Sequence, residues 1–196
     1  FNSGGRFYAT ANAVLGLPPT AFRAGGASTT IRFAVGPYSL GHVLVAASDK
    51  GIVAILLGDE PEPLIRDLEA RFPSATLVGA DRAFERLAGR AIASVETPGK
   101  ALDLPLDIRG TAFQHRVWQA LTEIPPGTTQ TYAEIAERIG APTAVRAVAR
   151  ACAANPIAVV VPCHRVVRTG GALSGYRWGI ARKRAMLDKE ARPRRK

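Results

Sequence analysis

The sequence predicts an α/β protein built in two parts, and three observations predict it. Apolar runs of strand length alternate with helically spaced apolar residues between positions 29 and 108. From 109 onwards the apolar spacing is mostly helical. Gly25-Gly26-Ala27-Ser28 reads as a linker that sets a short leader apart from both. The division is therefore 1–26, 27–108 and 109–196. A chain of 196 residues, 47% apolar and 21% charged, can bury a real core and has the composition of a soluble globular protein. No apolar run approaches the ~18 residues of a membrane span, so no membrane association is expected. The chain does not begin with Met and shows no signal peptide, so Phe1 reads as an internal cut.

A net charge of +10 and a pI near 10.4 favour a polyanionic partner; simple solubility with a basic tail is the plainer alternative. The two cysteines, Cys152 and Cys163, lack the companions of a zinc site, so no metal is expected. They make no disulfide framework either. A reducing, cytoplasmic setting follows, in which one of them could be a working thiol.

In the leader, Arg6-Phe7-Tyr8 and Leu15-Gly16-Leu17-Pro18-Pro19-Thr20-Ala21-Phe22-Arg23 read as two aromatic-bearing helices about a Gly stop and a Pro-Pro turn. A frayed leader is the alternative. Residues 30–35, 42–47 and 52–57 read as strands, the last two joined by the turn Asp49-Lys50-Gly51. Leu64, Leu68 and Phe72 share one face of a helix over 63–72. Residues 75–78 suggest another strand, and Phe84, Leu87, Ala88 and Ile92 a second helix. Residues 102–106 read as extended. His42 lies in a strand pattern and reads as structural; nothing in this part forms a catalytic constellation.

The second part opens with a helix over 111–124, with Phe113, Val117, Ala120, Leu121 and Ile124 inward, and Pro125-Pro126-Gly127 stops it. Thr131 and Glu134 have capping-box spacing ahead of Ile135, Ala136 and Ile139, and Gly140 ends that helix. The next begins almost at once, which makes a helix-turn-helix unit. Along 143–154, Val145, Val148, Ala149 and Cys152 face the core, so Cys152 reads as a small core filler. The opposite face carries Arg146 and Arg150 among Ala147, Ala151 and Ala154. Small side chains let a backbone approach a groove floor, and the arginines supply charge and reach. An ordinary solvated alanine-rich helix is the alternative.

Asn155-Pro156 ends this helix, and an apolar run follows that reads as a buried strand, Val159-Val160-Val161, ending in Pro162-Cys163-His164-Arg165-Val166-Val167. A thiol beside an ionisable ring suits a protected nucleophile better than a core. On a regular strand the two would face opposite ways, so a turn after Pro162 is needed to bring them to one side. A third group must fix the histidine tautomer. Glu190 is a candidate, although a solvated carboxylate at a helix end is the simpler reading of that residue. The glycine-rich segment 168–179 ends in Tyr176-Arg177-Trp178 and reads as a pocket wall. A closing helix over 180–190 and a basic, disordered tail over 192–196 complete the chain.

Several spaced motifs together resemble one family. Pro162-Cys163-His164-Arg165-Val166 resembles the signature of the O6-alkylguanine-DNA alkyltransferases. The similarity runs from about Ile108 to Glu190 through Thr111-Ala112-Phe113, Gly127, Thr131-Tyr132, Ala144-Val145-Arg146-Ala147-Val148, Asn155-Pro156 and Gly175-Tyr176-Arg177-Trp178-Gly179. The leader is similar to the end of an AraC-type helix-turn-helix domain, so the whole resembles the C-terminal part of an Ada-type protein. The resemblance implies a small RNase H-like α/β subdomain followed by a winged-helix-like, DNA-binding and catalytic subdomain.

It also implies an activity: irreversible, single-turnover transfer of a methyl or other alkyl group from guanine O6, and from thymine O4, to a cysteine. No cofactor is implied. The partner would be double-stranded DNA, entered from the minor groove by a monomer after base flipping. Cys163 matches the acceptor, His164 the base that works through water, Glu190 the carboxylate that orients it, and Tyr176 a donor to the leaving guanine. Tyr132, Asn155, Val166 and Trp178 match the pocket and its supports. Arg146, which replaces the flipped nucleotide, matches the DNA-binding set with Ala147, Arg150 and Tyr132. Arg177 and Trp178 are bulky where some relatives carry small residues, which implies poor fit for large adducts. The zinc-cysteine phosphotriester domain of a complete Ada-type protein has no counterpart here, so transcriptional activation does not follow. A non-catalytic module that flips damaged bases, and a cysteine hydrolase, are the competing classes. The presence of Cys163 argues against the first, and the second requires turnover.

Overall fold

The apolar runs at 42–47 and 52–57 become neighbouring buried strands of a four-stranded sheet. The computed structural model describes residues 29–97, 104–173 and 175–191. The readings made for the leader, the Gly25–Ser28 linker, positions 102 and 103 and the basic tail lie outside the described residues. Strands β1 (Thr30–Tyr38), β2 (Gly41–Ala47), β3 (Ile52–Gly58) and β4 (Thr76–Gly79) are ordered β3-β2-β1-β4. The β1–β2 and β2–β3 pairs are antiparallel, and β4 joins β1 in parallel. The fold is therefore mixed α/β, as the alternating pattern predicts. Helix α1 (Pro61–Arg71) packs on β2 and β3, and α2 (Arg82–Glu96) on β1 and β2. Two side-chain readings shift. Phe72 caps α1 and is half-buried, and Leu87 and Ile92 are half-buried while Ala88, Ala91 and Val95 take the inner positions of α2.

Residues 104–107 lie along the start of β3, through a parallel bridge between Ile52 and Leu106. The Ile52 amide donates to the Pro105 carbonyl at 2.8 Å, and a Cβ on Gly51 would fall 2.4 Å from that same oxygen. Gly51, at φ +152°, is thus needed for a close backbone approach as well as for its turn.

The chain divides into two compact units, with a break between Ile108 and Arg109. The second unit holds α3 (Ala112–Thr122), β5 (Gln130–Thr131), α4 (Tyr132–Arg138), α5 (Val145–Ala153), β6 (Val166–Val167) and α6 (Ile180–Ala191). Strands β5 and β6 pair in parallel. The Thr131–Glu134 capping box forms in both directions at the start of α4, and Gly140 takes φ +70° at its end. A second box, Thr111 with Gln114, opens α3.

The expected strand at 159–161 does not form. Those residues turn instead, and Val159 adopts φ +68°, a left-handed conformation that costs a β-branched residue of order 1–3 kcal/mol. The physical reason lies in Asn155, whose side chain occupies the backbone partners that a strand would need.

Candidate active site

Asn155 is fully buried and uses both ends of its amide. Its Oδ1 accepts the Ile157 amide at 2.9 Å, and its Nδ2 donates to the Val161 carbonyl at 2.8 Å and to Cys163 Sγ at 3.2 Å. The partners fix the amide orientation: a donor on one side, two acceptors on the other. The loop 157–161 is therefore wrapped around one side chain, which also holds the thiol. Asn155→Ala would orphan the Ile157 amide and leave the Val161 carbonyl only the Cys163 amide, at 2.8 Å. A destabilisation of about 3 kcal/mol is expected, read from urea unfolding.

After Pro162 the chain makes one 3-10 turn, Cys163–Arg165, before β6. This is the turn the sequence required, and all three side chains are buried. His164 Nε2 lies 3.0 Å from Glu190 Oε1. Arg165 reaches the same carboxylate, with Nη2 at 2.8 Å from Oε1 and Nε at 3.1 Å from Oε2, and its Nη1 donates to the Ile124 carbonyl. The Gly127 amide completes the set, 3.2 Å from Glu190 Oε2. Burial pushes the Glu190 carboxyl up, but the hydrogen bonds and charges of His164 and Arg165 outweigh it and hold the group at about 2. Glu190 is thus an anion. It accepts the Nε2 proton of His164, which leaves Nδ1 as a bare acceptor. Nδ1 is buried and has no partner among the described residues. Burial also lowers the His164 pKa, against the pull of Glu190, so the ring is a neutral base.

Cys163 is 3% exposed. Burial pushes its thiol up to about 11, while the Asn155 hydrogen bond and the Lys183 charge act in the opposite direction. Lys183 is fully buried and donates from Nζ to the Val166 carbonyl. Its Nζ also sits 6.0 Å from the centre of the Tyr176 ring. The Tyr176 hydroxyl donates to Met186 Sδ at 3.6 Å, a weak acceptor that a better one can displace. Trp178 is buried and meets Tyr176 edge-to-face, with centroids 5.2 Å apart. Arg177 does not share that wall. It is exposed, and its Nη1 is 3.4 Å from the Ala153 carbonyl.

Tyr132, half-buried, is the first residue of α4, and Val166, buried, the first of β6. Arg146, Ala147 and Arg150 all lie on the exposed side of α5. Ala151 does not, contrary to its expected place. It is buried, and its carbonyl accepts the Trp118 indole N–H at 2.9 Å. The structure thus gathers Cys163, His164, Glu190, Asn155 and Val166 around one turn, with Arg146, Ala147 and Arg150 on the helix that leads into it.

The comparisons with known proteins agree on this unit. The family model described as 6-O-methylguanine DNA methyltransferase, DNA binding domain, matches residues 112–192. The inducible methylated-DNA–protein-cysteine methyltransferase of Bacillus subtilis (strain 168) is 42% identical over 149 residues, 76% of this chain and 83% of that protein. The chain belongs to the methylated-DNA–protein-cysteine methyltransferase family. A longer member is also similar: the bifunctional transcriptional activator/DNA repair enzyme Ada of Escherichia coli (strain K12), 50% identical over 97% of this chain. The chain covers 54% of that protein, and so spans about half the length of the curated relatives it matches over 97% of its own. Among solved structures, the Mycobacterium tuberculosis O6-methylguanine methyltransferase superposes with a TM-score of 0.64 at 36% identity, covering 86% of this chain and 97% of that one. A crystal structure of the Mycobacterium tuberculosis OGT in complex with DNA aligns with a TM-score of 0.62, over 83% of this chain and 92% of that one.

Sequence reasoning missed three residues of this family member's site: Arg165, Lys183 and Trp118. A signal existed for Lys183. With Met186 and Glu190 it follows i, i+3, i+7 along α6, an inner stripe with two charged members. A charge on an apolar stripe is rarely left without a partner.

Proposed function

We propose that this chain repairs DNA by moving a methyl group, or another small alkyl group, from guanine O6 and from thymine O4 to the sulfur of Cys163, once per molecule. The observation that carries the reading is the buried thiol held by Asn155 Nδ2, next in the chain to a histidine that Glu190 fixes as a neutral base. In the reaction the Sγ–C bond forms as the C–O6 bond breaks. The thiol gives up its proton towards His164 Nδ1, through water, and the released guanine gains one at N1. Tyr176 can donate to the departing base as its charge develops. Trp178, Tyr132 and Val166 would bound the pocket. No cofactor or metal enters the balance.

A thiol that is 3% exposed cannot reach O6 of a stacked, paired base, so the nucleotide must leave the duplex. Helix α5 suits the minor groove, where little sequence is read and a repair protein can act anywhere. Ala147 lets it approach, Arg150 meets phosphate, Arg146 fills the gap left by the flipped base, and Tyr132 crowds the backbone. The molecule would act as a monomer in the cytoplasm. The test is intact-protein and peptide mass after incubation with a duplex containing O6-methylguanine. One methyl group on Cys163 is expected, and an unchanged mass under conditions of DNA binding would exclude the reading. Arg146→Ala should slow repair of the duplex and spare reaction with a free O6-alkylguanine base. Equal loss on both substrates would place Arg146 in the fold or the pocket instead.

A further inference from the structure

We infer that Trp118 is a positioning residue for Cys163, acting through the end of α5 and Asn155; the inference rests on Cys163 being the methyl acceptor. A helix leaves its last carbonyls without intrahelical donors. Were α5 to continue, the Asn155 amide would bond the Ala151 carbonyl four residues back. It bonds the Cys152 carbonyl instead, at 3.3 Å, while Ala154 closes on Arg150 at 2.9 Å. The Ala151 carbonyl is taken by Trp118 Nε1–H at 2.9 Å. The indole thus supplies the donor that helix continuation would have supplied. The chain is free to tighten at Asn155, and the Asn155 amide turns inward to Val161 and the thiol.

The indole is itself seated firmly. Trp118 is 4% exposed, His115 lies edge-on at 5.5 Å, and a Cβ at Gly110 would fall 2.7 Å from Trp118 Cζ3. An indole has one N–H with a fixed direction, so it specifies a single carbonyl. A ring that only filled space would need no such donor. The link from Trp118 to the sulfur is therefore three steps long and wholly within the second unit: indole to Ala151, helix end to Asn155, amide to Sγ. Loss of the first step should be felt at the last as a less reactive thiol, because the Asn155 hydrogen bond favours the thiolate.

Trp118→Phe keeps the ring and removes the N–H. In the full chain, the rate at which iodoacetamide modifies Cys163 is followed against pH by peptide mass. The variant should react roughly fivefold more slowly at a fixed pH, the worth of one net hydrogen bond, with its profile displaced to higher pH. Asn155→Ala should show the same displacement, and the double variant should go no further. A Trp118→Phe protein that melts earlier but keeps the parent pH profile overturns the inference, and so does an additive shift in the double variant. If Trp118→Phe does not fold, Gly110→Ala displaces the indole and keeps its N–H. A displaced profile there supports the link, and the parent profile refutes it. Iodoacetamide needs no DNA, so these results stand apart from whether DNA-borne methyl groups reach Cys163.

Discussion

Cys163→Ala is expected to take up no methyl group from a duplex containing O6-methylguanine, and still to fold and bind that duplex. Loss of transfer should be complete rather than partial, because no second nucleophile can stand in for the sulfur. Cys152, the other thiol, is 6% exposed on the inner face of α5, and burial raises its pKa even further than that of Cys163. Cys152→Ala should accordingly transfer at the parent level. The fold should tolerate the loss of Sγ. Asn155 keeps its bonds to Ile157 and Val161, and sulfur is a weak acceptor, so a cost of about 1 kcal/mol is expected. Cys163→Ser refines the test, since a hydroxyl keeps the Asn155 hydrogen bond but ionises far less readily than a thiol. It should match the parent in stability and the alanine variant in transfer. Peptide mass and gel retardation on the same samples decide the matter. A methyl group at any other residue of the alanine variant would overturn the assignment of the acceptor.

The sequence made some of this site legible and concealed the rest for identifiable reasons. The thiol was conspicuous because an apolar run rarely ends in a cysteine and an ionisable ring. The Thr131–Glu134 box was readable because capping is local, four residues speaking to each other. The valines at 159–161 misled, since β-branched residues favour strands and the competing force came from a single buried amide. That amide belongs to Asn155, whose reach across the loop no periodicity encodes. Ala151 was misplaced because two helix faces are buried, one of them against Trp118, and alanine carries no mark of either. Glu190 lies 26 residues from His164, and only the family resemblance joined them before the fold did. Arg165 was hidden within its motif, since nothing local marks an arginine as buried, and its partner Glu190 lies 25 residues away.

That ion pair supplies the second large effect. Glu190→Gln should destabilise the protein by about 3–5 kcal/mol, because it strands a buried guanidinium. The Arg165 and Glu190 side chains are 8% and 2% exposed, so solvent cannot screen the loss. The effect on pH dependence has a definite sign. The Glu190 carboxyl is held at about 2 in the folded chain, below its ordinary value of 4.5. Its contribution is fully present above pH 4.5 and is lost as the pH falls from there towards 2. His164 adds to acid lability: with its pKa lowered by burial the folded ring stays neutral while the unfolded chain binds a proton below about 6.5, so stability falls as the pH drops beneath that value. The parent should therefore lose stability steeply on acidification, and Glu190→Gln, already weakened at pH 7, should lose less over the same range. Urea unfolding at a series of pH values measures both curves, and parallel curves would show that the carboxylate is not the titrating group. Stability and chemistry can then be separated. Replacing both partners with apolar residues of similar size, Arg165→Met with Glu190→Leu, should recover part of the lost stability, because no charge is left buried alone, although His164 Nε2, the Gly127 amide and the Ile124 carbonyl lose a partner. It should not recover transfer, because nothing then holds the proton on His164 Nε2 and keeps Nδ1 as the acceptor. A double variant that is both stable and active would mean that Glu190 serves the fold alone.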